Sequence, residues 1–84
     1  MIHYLTNPQK HTMEIIESHA EDEITGRDLR NLLNKRYGYN YSAPAFYKMM
    51  AELEDEGLVK GYYKHKLVSG QQIKQRTYQL VPNA

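Results

Sequence analysis

Lys60, Lys64, Lys66, Lys74 and Arg76 follow Gly57 with no acid among them, whereas all 10 acidic residues lie at or before Glu56. Lysine and arginine in such a run bind phosphate, lysine as a point charge and arginine as a two-armed fork. The last third of the sequence is thus a local positive field, although the formal net charge is only +1. Upstream, Ser42, Ala43, Ala45, Tyr47 and Lys48 crowd the start of a candidate helix. Free N–H groups at a helix start favour phosphate oxygens, and small side chains allow close approach to base edges, where an alanine methyl meets the thymine methyl. Tyr47 and Lys48 can donate to phosphate, which positions a protein without reading sequence. Lys64, Lys66, Lys74 and Arg76, with Gln71 and Gln72 near a turn, are suited to crossing a phosphate strand or reaching the minor groove. Ser42, Ala43, Ala45, Tyr47 and Lys48, with Lys64, Lys66, Lys74 and Arg76, are the expected contacts to double-stranded DNA. Each has a plainer role too: lysines keep hairpin edges from pairing with other chains, and Tyr47 can cover the edge of a core.

Other chemistries find little support. The histidines, at 3, 11, 19 and 65, lack the i, i+4 spacing of a helical metal pair, and there is no cysteine for a disulfide or a thiolate site. No phosphate-cradling glycine loop or nucleophile elbow is present, so neither an enzyme nor a cofactor is expected. Met49 and Met50 read as core filler, and the carboxylates after them as a solvated face. No run of about 18 apolar residues spans a membrane, and Met1 to Leu5 is too short for a signal peptide, so the expected location is cytoplasmic. At 84 residues, 40% hydrophobic and 25% charged, the expectation is one domain over 1–84 with a thin core.

The elements that must position these residues are marked by four signals. Asn7-Pro8 reads as a cap and first helical residue, opening a helix that buries Met13, Ile15, Ile16 and Ala20 and ends near Glu21 to Glu23. Thr25 can cap a second helix through the Asp28 N–H, with Ile24 and Leu29 at staple spacing; it turns Leu29, Leu32 and Leu33 inward and stops at Gly38 after Lys35 and Arg36. Ser42 caps a third, with Pro44 in its first turn and a buried stripe of Phe46, Met49, Met50 and Leu53; Gly57 closes it, with Leu53 and Leu58 placed for a Schellman contact. After Gly57 the period changes: Leu58 to Val68 and Ile73 to Val81 read as a hairpin around Ser69-Gly70-Gln71. A turn of two residues or of three leaves open whether Tyr62 or Tyr63 faces the core. The expected fold is α+β, a winged helix-turn-helix of three helices followed by a two-stranded hairpin wing.

Ile24-Thr25-Gly26-Arg27-Asp28-Leu29, the run from Ser42 through Leu53-Glu54-Asp55-Glu56-Gly57-Leu58-Val59, and Arg76-Thr77-Tyr78-Gln79-Leu80 resemble the PadR-type winged-helix transcriptional regulators of prokaryotes and their phages. The resemblance covers about Met13 to Val81 and implies a regulator that binds operator DNA as a dimer. PadR-type chains usually continue into a C-terminal dimerising helix, whereas this sequence runs to Ala84, and their common His-Gly-Tyr before the second helix is here Thr25-Gly26-Arg27. A homodimer would then use the first helix with Ile2, Tyr4 and Leu5. Glu52, Glu54, Asp55 and Glu56 at the far end of the third helix turn that end away from phosphates and its start toward them. Two alternatives stand beside this reading: a protein-interaction adaptor using Tyr37, Tyr39, Tyr41, Tyr62 and Tyr63, and a phage or plasmid DNA-binding protein for replication or packaging.

Overall fold

The computed structural model describes residues 4–19 and 23–82. Helix α1 spans Asn7–Ser18, and its cap is Thr6, one residue before the expected Asn7. The reason is reciprocal bonding: Thr6 Oγ1 accepts from the Gln9 N–H at 3.3 Å while Gln9 Oε1 accepts from the Thr6 N–H at 2.9 Å. Asn7 has Lys10 at the corresponding position, which cannot return the bond. The helix ends at Ser18, short of the expected Glu21 to Glu23. There the Ser18 hydroxyl donates to the Ile15 carbonyl at 2.7 Å and the His19 N–H to the Ile16 carbonyl at 3.0 Å, using up acceptors of the last turn. Ala20 and Ile2, expected on the helix stripe and in a dimer contact, lie outside the described residues.

A two-residue strand, β1 at Ile24–Thr25, precedes helix α2 at Gly26–Tyr37. Thr25 also caps α2, accepting from the Asp28 N–H at 3.1 Å, and Gly38 stops the helix in the left-handed region at φ 73°. Helix α3 follows at Ala43–Asp55. The intervening turn is clamped from α2: Asn34 Oδ1 accepts from the Tyr41 N–H at 2.9 Å, while Asn34 Nδ2 and an Arg30 guanidinium N–H both donate to the Tyr41 carbonyl at 3.1 Å. A short helix-turn-helix connection needs its polar backbone satisfied, and at Tyr41 side chains do it.

Strands β2 (Val59–Val68) and β3 (Gln71–Leu80) form the hairpin. Val68 pairs with Gln71, so the turn is Ser69-Gly70, and its φ values of 51° and 79° are those of a type I′ turn. That fixes the open register: Tyr62 stands opposite Thr77 and Tyr63 opposite Arg76. The sheet has a third strand that the sequence reading lacked, since Ile24 pairs with Tyr78 and Thr25 with Thr77, giving the order β1-β3-β2.

The core gathers Ile15 and Ile16 from α1, Leu29 and Leu33 from α2, Phe46, Met49, Met50 and Leu53 from α3, and Ile24, Val59 and Tyr78 from the sheet. Each such side chain contributes about 1.5–3 kcal/mol by leaving water. Tyr37, Tyr39 and Tyr41 pack against this core at its α1 side, where Tyr37 stacks on His11 at 3.9 Å and Tyr39 shares a 2.9 Å hydrogen bond with His11 Nδ1. Among the described residues no helix is long and apolar enough to cross a membrane.

Candidate nucleic-acid interface

Burial of Phe46, Met49, Met50 and Leu53 turns the other side of α3 outward, and Ser42, Ala43, Ala45 and Lys48 are all exposed. Ser42 Oγ accepts from the Ala45 N–H at 3.3 Å, a cap that fixes where the helix, and with it the sequence of exposed residues, begins. Tyr47 is 37% exposed but not free-standing. Its ring meets Phe46 edge-on at 5.3 Å, and its hydroxyl end lies over Gly26, where a Cβ would come within 2.7 Å of the oxygen. Tyr47 therefore covers the α2–α3 seam while remaining partly exposed.

Strand alternation sorts the wing cations onto two faces. Lys74 and Arg76 share a face with Gly61, Tyr63 and Tyr78, turned toward α3; Lys60, Lys64 and Lys66 share the other with Tyr62 and Thr77. Between α3 and the first face runs an open groove of about 550 Å³, bounded by Tyr47, Ala51, Glu54, Tyr63, Lys74, Arg76 and Tyr78. Lys74 Nζ sits 4.4 Å from the centre of the Tyr63 ring, and the Arg76 guanidinium carbon 4.8 Å from the same ring. Arg76 also donates to Glu54 Oε1 at 2.7 Å, with both side chains 26% exposed. Glu54 is thus no part of a solvated face, contrary to the sequence reading. The room for it comes from Gly61, where a Cβ would overlap the Glu54 carboxylate and lie 2.6 Å from the guanidinium.

On the other face Lys64 pairs with Glu23. Lys64, and then the neighbouring Tyr62 hydroxyl, hold the Glu23 carboxyl below its ordinary range. The Tyr62 oxygen is shut off from solvent without a well-aligned hydrogen-bond partner among the described residues. Burial, then the Glu23 carboxylate beside it, push its pKa up to about 12. Lys66 and the Gln71 and Gln72 side chains near the turn are exposed. Glu23, Glu54 and Gly61 are the residues that sequence reasoning missed; their sequence neighbours carry no hint of a partner on the wing. Among the described residues no cluster of three or more His, Asp or Glu side chains is arranged to hold a metal ion.

No protein-family model and no curated protein matches the sequence. Solved structures do. The chain is similar to the ferric uptake regulator of Francisella tularensis, solved with iron, at a TM-score of 0.67 and 17% identity over 98% of this chain. Pex from Synechococcus aligns at 0.60 with 29% identity over 93% of the chain, and Bacillus subtilis PadR in complex with operator DNA at 0.61 with 17% identity over 87%. The chain spans 56%, 68% and 41% of those proteins, respectively. Three helices, a helix-turn-helix clamped at Tyr41 and a hairpin paired back onto β1 make this chain a winged-helix domain, with the fold shared by PadR, Pex and the ferric uptake regulator.

Proposed function

We propose that this domain binds double-stranded DNA and regulates transcription, with the start of α3 in the major groove and the wing on phosphates. The observation that carries the reading is the exposed, small-residue start of α3, capped by Ser42, standing beside a wing without acids. Ser42, Ala43 and Ala45 would face base edges, and Lys48 with the exposed part of Tyr47 would face phosphate. Of the wing cations, Lys66 and Lys74 reach outward, whereas Lys64 and Arg76 arrive already neutralised by Glu23 and Glu54. The PadR protein of the same fold was solved on operator DNA, which supports the general kind of partner.

A titration of fluorescent duplex DNA between low and high salt tests this. Each phosphate contact contributes about 0.9 to the slope of log affinity against log salt, so Lys66→Ala should lower the slope by about one while weakening all sequences alike. Enlarging Ala45 to Leu should instead change which sequences are selected from a random duplex pool. Binding that is absent or insensitive to salt overturns the reading. Dimerisation through α1 and Tyr4, a residue 90% exposed, belongs to the same proposal and is checked by mass measurement in solution. The adaptor alternative is the less favoured, because Tyr37, Tyr39, Tyr41 and Tyr62 are partly buried and, of those five tyrosines, Tyr63 is the exposed one.

A further inference from the structure

We propose that Glu54 is a positioning residue for DNA binding: it holds the Arg76 guanidinium across Gly61, fixes the wing against α3, and leaves Lys74 to meet phosphate on that face. The inference rests on the DNA-binding reading above. The pair joins residues 22 apart in sequence, one on the last turns of α3 and one on β3, at 2.7 Å. Here α3 and the wing are tied by a charge-assisted bond in addition to apolar contact. The guanidinium is also flanked by rings, 4.8 Å from Tyr63 and 5.6 Å from Tyr78, so its remaining surface is largely engaged.

Gly61 gives this arrangement independent support. Glycine inside a strand weakens it, and it is found where another group must approach closely. Here the approaching groups are the Glu54 carboxylate and the Arg76 guanidinium, which occupy the space of a side chain. A phosphate that captured Arg76 would have to break the pair and would then face the stranded Glu54 carboxylate at the inner end of the groove. Like charges at that range repel, so the DNA backbone is kept at the outer rim. There Lys74, steadied over Tyr63 at 4.4 Å, is the next cation outward on the same face.

Salt-dependent titration of duplex DNA separates this from a direct Arg76 contact. Lys74→Ala should lower the salt slope by about one, Arg76→Ala should leave it unchanged, and Glu54→Gln should raise it by about one by releasing a cation into the groove. An Arg76→Ala slope lower by about one, with Glu54→Gln unchanged, overturns the proposal. If the wild-type chain shows no salt-dependent binding, the DNA reading fails, and the tie is then judged without DNA. Urea unfolding of Glu54→Gln, Arg76→Gln and the double variant should give a double-variant midpoint no lower than that of the weaker single variant. Additive midpoint shifts would mean that the two side chains do not act as a unit, and the proposal falls.

Discussion

At Tyr62 the physics of a single buried hydroxyl sets a pH limit on the fold. Its folded pKa of about 12 lies above the ordinary tyrosine value of 10, so it contributes stability that is fully present below pH 10 and lost as pH rises toward and through 12. The fold should therefore weaken in that window, and Tyr62→Phe should flatten the alkaline limb; an unchanged limb in urea titrations at stepped pH would count against the assignment. Gly26 makes a second residue-level case. Alanine at a helix start ordinarily stabilises by about 0.4–1 kcal/mol by restricting the unfolded chain, but here the Cβ would strike Tyr47. Gly26→Ala should instead cost about 1–3 kcal/mol, the range for overpacking, and the loss should shrink in a Tyr47→Ala background. An additive result would show that the two do not touch. Local chemistry made some residues legible: Ser42 caps because serine next to Pro44 and an apolar stripe says so within a few positions. The partners of Lys64 and Arg76 were not legible, because Glu23 reaches Lys64 only once β1 is laid into the sheet and Glu54 reaches Arg76 only once α3 packs on it, and Gly61 shows its purpose only once both neighbours are in place.

Helix α3 carries the strongest agreement between local signals and structure. The bonds from the Leu58 N–H to the Leu53 carbonyl at 3.1 Å and from the Gly57 N–H to the Glu54 carbonyl at 2.9 Å are the two arms of the Schellman motif expected from Gly57 and the Leu53–Leu58 spacing. Start and stop of α3 are thus set by its own sequence. Ser42→Ala should cost about 1 kcal/mol in urea unfolding by orphaning the Ala45 N–H, and a change under a few tenths would argue that the cap is replaced by water. The hairpin was harder to read, since Ser69-Gly70 and Ser69-Gly70-Gln71 both suit turns and only pairing decides. Strand β1 left no trace at all: two residues are too few to show alternation, and Thr25 doubles as the cap of α2. Ser69 sits at φ 51°, a conformation that costs an ordinary L-residue roughly 1–2 kcal/mol and that asparagine tolerates better. Ser69→Asn should accordingly raise the melting temperature by recovering part of that cost, and a lowered one would mean that the serine side chain stabilises the turn.

Along its whole length the molecule is uneven in how it is held. It extends 45 × 29 × 22 Å with a radius of gyration of 13.0 Å. A compact chain of this length would have about 12 Å. The excess is the wing. Its base is anchored, with Val59 and Tyr78 in the core and β1 laid along β3, but Leu67 is 70% exposed and Val68 and Ile73 about two-fifths exposed. Beyond Lys64, which pairs with Glu23, the hairpin is stabilised by its own ladder and the I′ turn, and two-stranded hairpins are marginal alone. Stability should therefore fall into two tiers. Phe46→Ala, in the fully buried core, should cost about 3–5 kcal/mol. That is a large part of what a domain of this size has. Leu67→Ala should shift stability by less than about 0.5 kcal/mol. Hydrogen exchange gives the more direct measurement: amides of Phe46, Met50 and Leu53 should exchange only through global unfolding, and their rates should track urea, while the ladder amides around Leu67 and Gln72 should exchange faster by local opening that urea barely affects. Uniform protection along β2 and β3 would show that the wing opens only with the core. In that case the Glu54–Arg76 tie would extend the cooperative unit further than its place at the wing base implies.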